Sequence, residues 1–456
     1  MYKYVHFIGI GGIGMSGLAH LLLREGIKVS GSDIKDSEVL DNLRNLGAKI
    51  YIGHHPSHIE NQDLVICSSA IKEDNPEFKE AIRKNIRVIK RAQALAELTE
   101  GKTVVSVTGS HGKSTTSTFV AHLLLEAGLS PTVAVGGISF NWNNNAYLGD
   151  GNFFIIEADE SDGSFIYYQP DYSIITNIDY EHLDYYKSFD RLLDAFKDFI
   201  ENTKFQGCVI GCKDDYFVES LLNKTNRKVF FYGLNKNPYI YAENIILKDL
   251  SSQFDCIYKG KFLERFELYL GGLHNVSNTL AVIALGMELG IELPIIKKAV
   301  ATFRGVRRRM EVKFKDANFT VLDDYAHHPT EIKATLKAIS ELKKKRMLVV
   351  FQPHRYTRTK LLLDEFAKSF DLADELIITD IYPADEEPIP GIDSSKLYQR
   401  LIMYGYSKVK FLPKDKIREY ILGNIRKGDL IISLGAGDIY KITDELVKEL
   451  KRRCKI

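Results

Sequence analysis

The chain has 456 residues, with 61 Lys and Arg against 60 Asp and Glu, for a formal net charge of +1 at neutral pH. That balance offers no global field to recruit nucleic acid or an anionic membrane, so any anion binding must be local, and the length suits about three domains. Five cysteines (Cys67, Cys208, Cys212, Cys256, Cys454) form no paired CxxC framework, and their odd number argues against a disulfide scaffold. The first residues, YKYVHFIGI, read as a strand and not as a charged and apolar leader, and no apolar run reaches bilayer length. The expectation is an unexported protein of the reducing cytoplasm, without membrane insertion.

Strand-like and helical segments alternate from the start: YVHFIGI, MSGLAHLLLREG, IKVSGSD, VLDNLRNLG, DLVICSSA. This alternation predicts parallel sheets covered by helices, an α/β fold. Gly9 to Gly14 spells GxGxxG between a strand and a helix, and Asp33 ends the next strand at about the 20-residue distance of a dinucleotide fingerprint. The loop itself requires only that a phosphate-bearing ligand approach the backbone, so a nicotinamide dinucleotide and a nucleotide sugar both fit. With a nucleotide sugar, Gly11, Gly12 and Gly14 would face the diphosphate, Asp33 or Ser32 would reach ribose or base, and Ser68 and Ser69 would close the far strand end. The stretch RKNIRVIKRAQALAELTEGK then reads as one charged, Ala-rich helical segment, with a domain boundary near Thr99.

The next strand, TVVSVT, runs into Gly109-Ser110-His111-Gly112-Lys113-Ser114 and a helix, which is the layout of a phosphate-gripping loop. Backbone N–H groups of Gly109 to Ser114 would point at phosphate, Lys113 would neutralise β/γ-phosphate charge, and the Ser114 hydroxyl would sit on Mg²⁺. Val107 stands where the full GxxxxGK[ST] pattern has glycine, so the loop is a variant. Glu157, Asp159, Glu160 and Asp162 crowd the end of the strand NFFIIEAD, where carboxylates suit Mg²⁺. His182 ends another strand segment; magnesium prefers oxygen, so by itself it reads as structural as readily as a ligand. His274, Asn275 and Asn278 open a helix, either capping it or contacting a base. The cluster Arg307-Arg308-Arg309 suits phosphate or acyl-phosphate oxygens, and a second boundary follows near Met310. In the last third, Tyr325, His327 and His328 follow one strand and His354, Arg355 and Arg358 the next, on one rim of a sheet. Zinc is disfavoured for these histidines without HExxH or cysteine partners, and Arg355 and Arg358 suit a carboxylate.

Taken in order, HFIGIGGIGMSGLA, VSGSD, TGSHGKSTT, EADESDGSF, TNIDYEHLD, HNVSN, DDYAHHPTEI, FQPHRYTRT and LGAGDI make the chain resemble the Mur ligase family, in its alanine-adding branch, over essentially its whole length. The resemblance implies three α/β domains: residues 1–98, Rossmann-like, for a UDP-sugar; 99–310, a P-loop ATPase-type parallel sheet; and 311–456, Rossmann-like, binding the amino acid and closing over the site. It implies UDP-N-acetylmuramate and L-alanine as substrates and ATP with Mg²⁺, or Mn²⁺, as the energy source. It decides the first loop in favour of UDP-sugar, with Gly11, Gly12, Gly14, Ser32, Asp33, Ser68 and Ser69 as its contacts. It assigns Gly109 to Thr115 with His274, Asn275 and Asn278 to ATP, Ser114, Glu157 and His182 to metal, and Tyr325, His327, Arg355 and Arg358 to the amino acid or product. Lys113 and Arg308 would spread charge on the transferred phosphoryl, and His327 would deprotonate the amine. Where relatives usually have glycine before an arginine pair, this chain has Arg307. A ligase that recycles preformed peptide, an NAD-dependent oxidoreductase and a phosphate-loop switch are the rival readings.

Overall fold

The computed structural model describes residues 2–453 except 236, 343 and 385. Three sheets organise the chain. The first holds β1 (Tyr4–Ile8), β2 (Lys28–Asp33), β3 (Lys49–Ile52), β4 (Leu64–Cys67) and β5 (Arg87–Lys90), in the order β3-β2-β1-β4-β5 with parallel pairs throughout. The chain leaves β1 and β4 in opposite directions across the sheet, and their carboxyl ends define the crevice where open α/β sheets bind ligands. The glycine loop follows β1 and Ser68 follows β4.

The second sheet takes β6 (Thr103–Thr108), β7 (Thr132–Ala134), β8 (Ala146–Tyr147), β9 (Phe153–Glu157), β10 (Tyr172–Ile175), β11 (Cys208–Cys212), β12 (Lys228–Gly233), β13 (Ile240–Lys248), β14 (Ser251–Tyr258) and β15 (Lys261–Leu268). Its order is β15-β14-β13-β12-β11-β10-β6-β9-β7-β8. β6 lies between β10 and β9, parallel to both, so the phosphate loop, the acidic strand end and the TNID segment emerge side by side. The third sheet holds β16 (Glu311–Lys315), β17 (Phe319–Asp324), β18 (Arg346–Phe351), β19 (Glu375–Ile378), β20 (Val409–Phe411) and β21 (Asp429–Leu434), ordered β16-β17-β21-β18-β19-β20. On β18, Met347, Val349 and Phe351 enter one buried cluster, and Leu348 and Val350 enter another on the opposite face. A strand buried on both faces needs apolar residues at every position, which is why RMLVVF carries no alternation.

By packing, the chain condenses into two compact units: residues up to Asn244 with Phe254–Phe266 and Ser277–Gly305, and Ile245–Gln253 with Glu267–Val276 and the chain from Val306 on. Four cysteines, Cys67, Cys208, Cys212 and Cys256, are free and buried, and Cys454 lies outside the described residues. Among the described residues, no helix is long and apolar enough to cross a membrane.

Local expectations fail in three places. The stretch RKNIRVIKRAQALAELTEGK is not one helix: the helix Pro76–Arg83 ends, Asn85 turns at φ 56°, and β5 pairs with β4 before the helix Arg91–Leu98 begins. Val88 and Ile89 pack on opposite faces of the sheet, so tertiary pairing overrides the helix formers around them. The pairs β7·β8 and β16·β17 are antiparallel at sheet edges. The run of strands β13, β14 and β15 replaces the expected strand–helix alternation.

Candidate functional site

Three strand-end constellations carry the polar chemistry. At the first, Gly9 turns at φ +81° and the N–H groups of Gly9 and Ile10 donate to the Ser32 carbonyl at 2.9 and 3.0 Å. Asp33 Oδ2 accepts from the Gly11 N–H at 2.8 Å and Oδ1 from the Ile34 N–H at 2.8 Å, so this carboxylate, expected on a ribose or base, also braces the loop. A side chain at Gly11 would meet Asp33 Oδ2 at 2.9 Å, and one at Gly14 would meet the Arg91 guanidinium at 3.0 Å. These glycines therefore answer to close approach as well as to any ligand. Ser32, expected at a ribose or base, is fully buried, and its hydroxyl donates to Glu77 Oε2 at 2.5 Å. Gly12, Gly14, Ser68 and Ser69 line a cleft of about 170 Å³ that also takes in Arg91, Asn145, Glu157 and Asp159. Asn145 Nδ2 closes the seam by donating to the Ile13 carbonyl at 2.6 Å. Neither Arg91 nor Asn145 belongs to a motif, and nothing in their spacing signals this placement.

At the second constellation, Gly109 (φ +128°) and Gly112 (φ +82°) admit no side chain, since a Cβ would lie 2.2 Å from Thr176 Oγ1 and 2.8 Å from Asn278 Oδ1 respectively. The expectation that all N–H groups from Gly109 to Ser114 face phosphate needs correction. The Ser110 N–H donates to the Asn177 carbonyl and the His111 N–H to Asn177 Oδ1, both at 2.9 Å, and His111 Nε2 lies 3.0 Å from Asp179 Oδ2. These bonds shape the loop and take the Ser110 and His111 N–H groups out of the donors left for an anion, while the first turn of the helix Lys113–Glu126, which includes Ser114 and Thr115, keeps N–H groups without an intrahelical partner.

Lys113 Nζ donates to the Gly109 carbonyl at 2.6 Å, the Ser110 carbonyl at 3.2 Å and Glu160 Oε1 at 2.8 Å. Burial pulls its pKa down, but the charges of Glu160, Asp159 and Glu181 and the Glu160 hydrogen bond reverse the sign and raise it, so the ammonium stays charged. Glu157 accepts from Ser114 Oγ at 2.8 Å and from the Gly136 N–H at 2.6 Å. His182, at φ 57°, brings Nε2 to 3.5 Å from Glu160 Oε1 and 3.9 Å from Glu181 Oε2. Burial lowers the His182 pKa and these carboxylates more than restore it. Glu160, Glu181 and His182 offer ligand atoms all within 4.8 Å of one another, and the buried Glu160 Oε2 has no hydrogen-bond partner among the described residues. Oxygen-rich donors with an unsatisfied carboxylate oxygen suit a hard divalent cation. Glu181 was not singled out in the sequence; its place next to His182 in TNIDYEHLD was the available signal. The helix Leu273–Glu288 carries His274, Asn275 and Asn278. Asn278 abuts Gly112, Asn275 Nδ2 donates to the Gly271 carbonyl at 2.8 Å, and burial followed by the Arg309 charge pushes His274 down to about 4.

The third constellation sits where β17, β21 and β18 end together. Arg308, at φ 61°, donates through Nη2 to the Gly435 carbonyl at 2.7 Å and through Nε to the buried Asp323 at 3.2 Å. Its guanidinium lies over the rings of Tyr325 and Tyr440, at 5.0 and 4.4 Å. Arg309 pairs with Glu331 at 3.2 Å. Arg307 is exposed and is not among the positive-φ residues, so a side chain in place of the usual glycine brings no left-handed strain; Arg308 and Met310 carry the unusual φ values instead. His327 Nδ1 lies 3.1 Å from the Tyr325 carbonyl and 3.2 Å from Glu331 Oε2. Arg358 Nη1 donates to His354 Nδ1 at 3.1 Å, and Arg355 holds φ 70°. Burial, followed by His327, Arg358 and Arg355, depresses His354 to about 2. Tyr325, His327, His354 and Arg358 are thus gathered, with His327 and His354 ring centroids 5.6 Å apart.

A parallel sheet with a phosphate loop, a carboxylate–histidine cluster and a crevice for a second phosphate-bearing ligand defines a nucleotide-dependent enzyme of three α/β domains. The family models for the Mur ligase family catalytic domain, the Mur ligase middle domain and the Mur ligase glutamate ligase domain match residues 4–103, 107–286 and 308–437, and the chain belongs to the Mur ligase family. It is 45% identical over 448 residues to a UDP-N-acetylmuramate--L-alanine ligase of Desulfatibacillum aliphaticivorans, covering 98% of each chain. Its structure is similar to that of a UDP-N-acetylmuramate-alanine ligase from Thermotoga maritima, with TM-score 0.85 and 32% identity over 99% of this chain and 100% of the other. A murein peptide ligase from Psychrobacter arcticus shares the fold at 24% identity and TM-score 0.74, over 98% of each chain.

Proposed function

We propose that this chain joins the lactyl carboxylate of UDP-N-acetylmuramate to the amine of L-alanine at the expense of ATP, in the synthesis of a peptidoglycan precursor. The observation that carries the reading is the likeness, over 98% of both chains, to a relative named for that reaction. The cleft on which the glycine loop and the β9 carboxylates both open supports it. In this reading residues 1–98 bind the sugar nucleotide, 99–310 bind ATP and 311–456 bind the amino acid. Its substrates are water-soluble and its reaction consumes ATP, which goes with a cytoplasmic location.

A carboxylate is a poor acylating agent because its leaving group would be oxide. Attack of the lactyl oxygen on the γ-phosphorus of ATP, with departure of ADP, gives an acyl phosphate; attack of the neutral amine on the acyl carbon then expels phosphate, and the surplus proton goes to a base. Lys113 is the charged group at the loop and would hold the β/γ-phosphate oxygens, exchanging its bond to Glu160 for them. Ser114, Glu157 and His182, joined by Glu160 and Glu181, would hold magnesium or manganese, which supplies positive charge against the phosphate oxygens. Asn278, beside Gly112, with His274 and Asn275 would contact the nucleotide. Tyr325, Arg355 and Arg358 would bind the amino-acid carboxylate, with His327 taking the proton. Arg308 is committed to Asp323 and the Gly435 carbonyl, so its service is to hold the rim on which those groups stand.

Phosphate release from ATP and Mg²⁺ should require both UDP-N-acetylmuramate and L-alanine, and the product should gain one alanyl mass. A requirement for tripeptide would move the assignment to peptide recycling. Hydrolysis indifferent to the sugar nucleotide would overturn the ligase reading.

A further inference from the structure

The first sheet contains a buried polar cluster that the reaction chemistry above does not use. Glu77, in the first turn of the helix Pro76–Arg83, is fully buried. Its Oε2 accepts the Ser32 hydroxyl at 2.5 Å and lies 3.1 Å from His54 Nδ1; its Oε1 lies 2.5 Å from His58 Nδ1 and accepts the His55 N–H at 3.4 Å. His6, fully buried on β1, brings Nε2 to 3.7 Å from Oε2, while its Nδ1 lies 2.9 Å from Ser30 Oγ. One carboxylate thus ties together β1, β2, the segment after β3 and a helix start. Leaving a buried carboxylate ionised requires donors of this number. Burial raises its pKa, and the nearby His6 ring together with the hydrogen bonds from Ser32 and His58 outweighs that and holds it at about 2.

The cluster reaches the end of β2 through Ser32, whose hydroxyl donates to Glu77 and also lies 2.9 Å from His54 Nδ1. The Ser32 carbonyl accepts the N–H groups of both Gly9 and Ile10, and the next residue, Asp33, accepts that of Gly11. Three consecutive donors of the glycine loop therefore rest on the end of β2, and the side chain of that end rests on Glu77. A lateral shift of Ser32 would be passed to Gly9, Ile10 and Gly11 together, because the carbonyl cannot move without them.

We propose that Glu77 is a positioning residue for the sugar-nucleotide site: it anchors Ser32 and thereby sets the geometry of the Gly9–Gly14 loop that receives the diphosphate. This rests on the sugar-nucleotide reading above. Glu77 does not touch the ligand, and the Ser32 hydroxyl, buried and engaged, does not either. The two side chains act as one strut.

The test uses the full chain with Glu77→Gln, which keeps volume and removes the charge, Ser32→Ala, which removes the far end of the strut, and the double variant. Each single substitution should raise the KM for UDP-N-acetylmuramate about tenfold, the scale set by orphaning one buried polar group, and weaken UDP-N-acetylmuramate binding in calorimetry without ATP by the same factor. kcat should stay within about twofold, and the KM values for ATP and L-alanine should be unchanged. Because the two residues form one device, the double variant should lose no more than the worse single variant. Should Glu77→Gln fail to fold, Ser32→Ala carries the measurement. An unchanged sugar-nucleotide KM in a folded variant would overturn the positioning role, as would fully additive effects or a general fall in kcat at constant KM. A parent protein whose turnover ignores UDP-N-acetylmuramate would instead overturn the functional reading, and the positioning role with it.

Discussion

Individual side chains in the three constellations are held in states that only their neighbours permit. Lys113 is charged because three carboxylates surround it, and its Nζ caps its own loop. Lys113→Ala should lower turnover about a thousandfold or more while leaving the fold intact, measured as phosphate release in single-turnover and steady-state assays. Arg355 stands at φ 70° and ψ 142°, a region that favours glycine. Arg355→Ala and Arg355→Gly both remove the guanidinium and should both raise the L-alanine KM about tenfold. Only the alanine variant keeps a Cβ in the strained conformation, so the glycine variant should be the more stable by about 1 kcal/mol in denaturant unfolding. His354 accepts a hydrogen bond from Arg358, a residue with donors only, which requires the neutral imidazole. With the folded value depressed to about 2 from an ordinary 6.5, the unfolded chain binds the extra proton first as pH falls. The His354 contribution to stability is therefore complete above 6.5 and is lost progressively below it. The thermal midpoint of the parent should drop more between about pH 7.5 and about pH 5.5 than that of His354→Gln.

Short elements gain their precision from side chains that serve two segments at once. Asp215 caps the helix Tyr216–Leu222 by accepting the N–H groups of Phe217 and Val218 through Oδ1, and its Oδ2 accepts the Ile178 N–H at 3.1 Å. Ile178 follows Asn177, the residue that shapes the phosphate loop. Asp215→Ala should destabilise the chain by about 2 kcal/mol in chemical unfolding, more than an ordinary cap, and Asp215→Asn should restore about half. The same economy operates at the glycine loop, where β2 supplies both the Ser32 carbonyl and the Asp33 carboxylate. Between β4 and the helix Arg91–Leu98, the chain makes β5 where composition favoured helix. A parallel neighbour offering a ladder of unpaired groups is worth more than the helix propensity of a few residues.

At the scale of the whole molecule, one rule recurs three times. Polar residues collect where parallel strands end, because there the side chains leave the apolar layers and the helix N-termini that follow bring unsatisfied N–H groups. In the first sheet this concentrates glycines, in the second a lysine with carboxylates and a histidine, and in the third arginines with histidines. Sharing one compact unit, the first two of these rims open on a common cleft. A ligand with a diphosphate at one end and a reactive carboxylate at the other suits such a cleft, since one part binds backbone and the other meets the charged cluster.

The α/β class, the three motif-bearing regions and the strand–glycine loop–helix layout around Lys113 were determined by the sequence alone. Each rests on local signals: apolar runs of strand length, glycines at turns and a lysine–serine pair opening a helix. The ordered set of motifs likewise carried the family. What the tertiary structure decided were relations between distant residues that have no local signature. That the Ser32 hydroxyl is bound to Glu77 depends on a helix 45 residues away. That Ser110 and His111 spend their N–H groups on Asn177 depends on β10 lying beside β6. That Arg308 is bound to Asp323 and Gly435, and that Arg91 and Asn145 reach the cleft, follow from strand order and packing. Sequence periodicity reports which face of an element is buried; which partner fills a buried polar group's hydrogen bonds is settled only when the chain has closed around it.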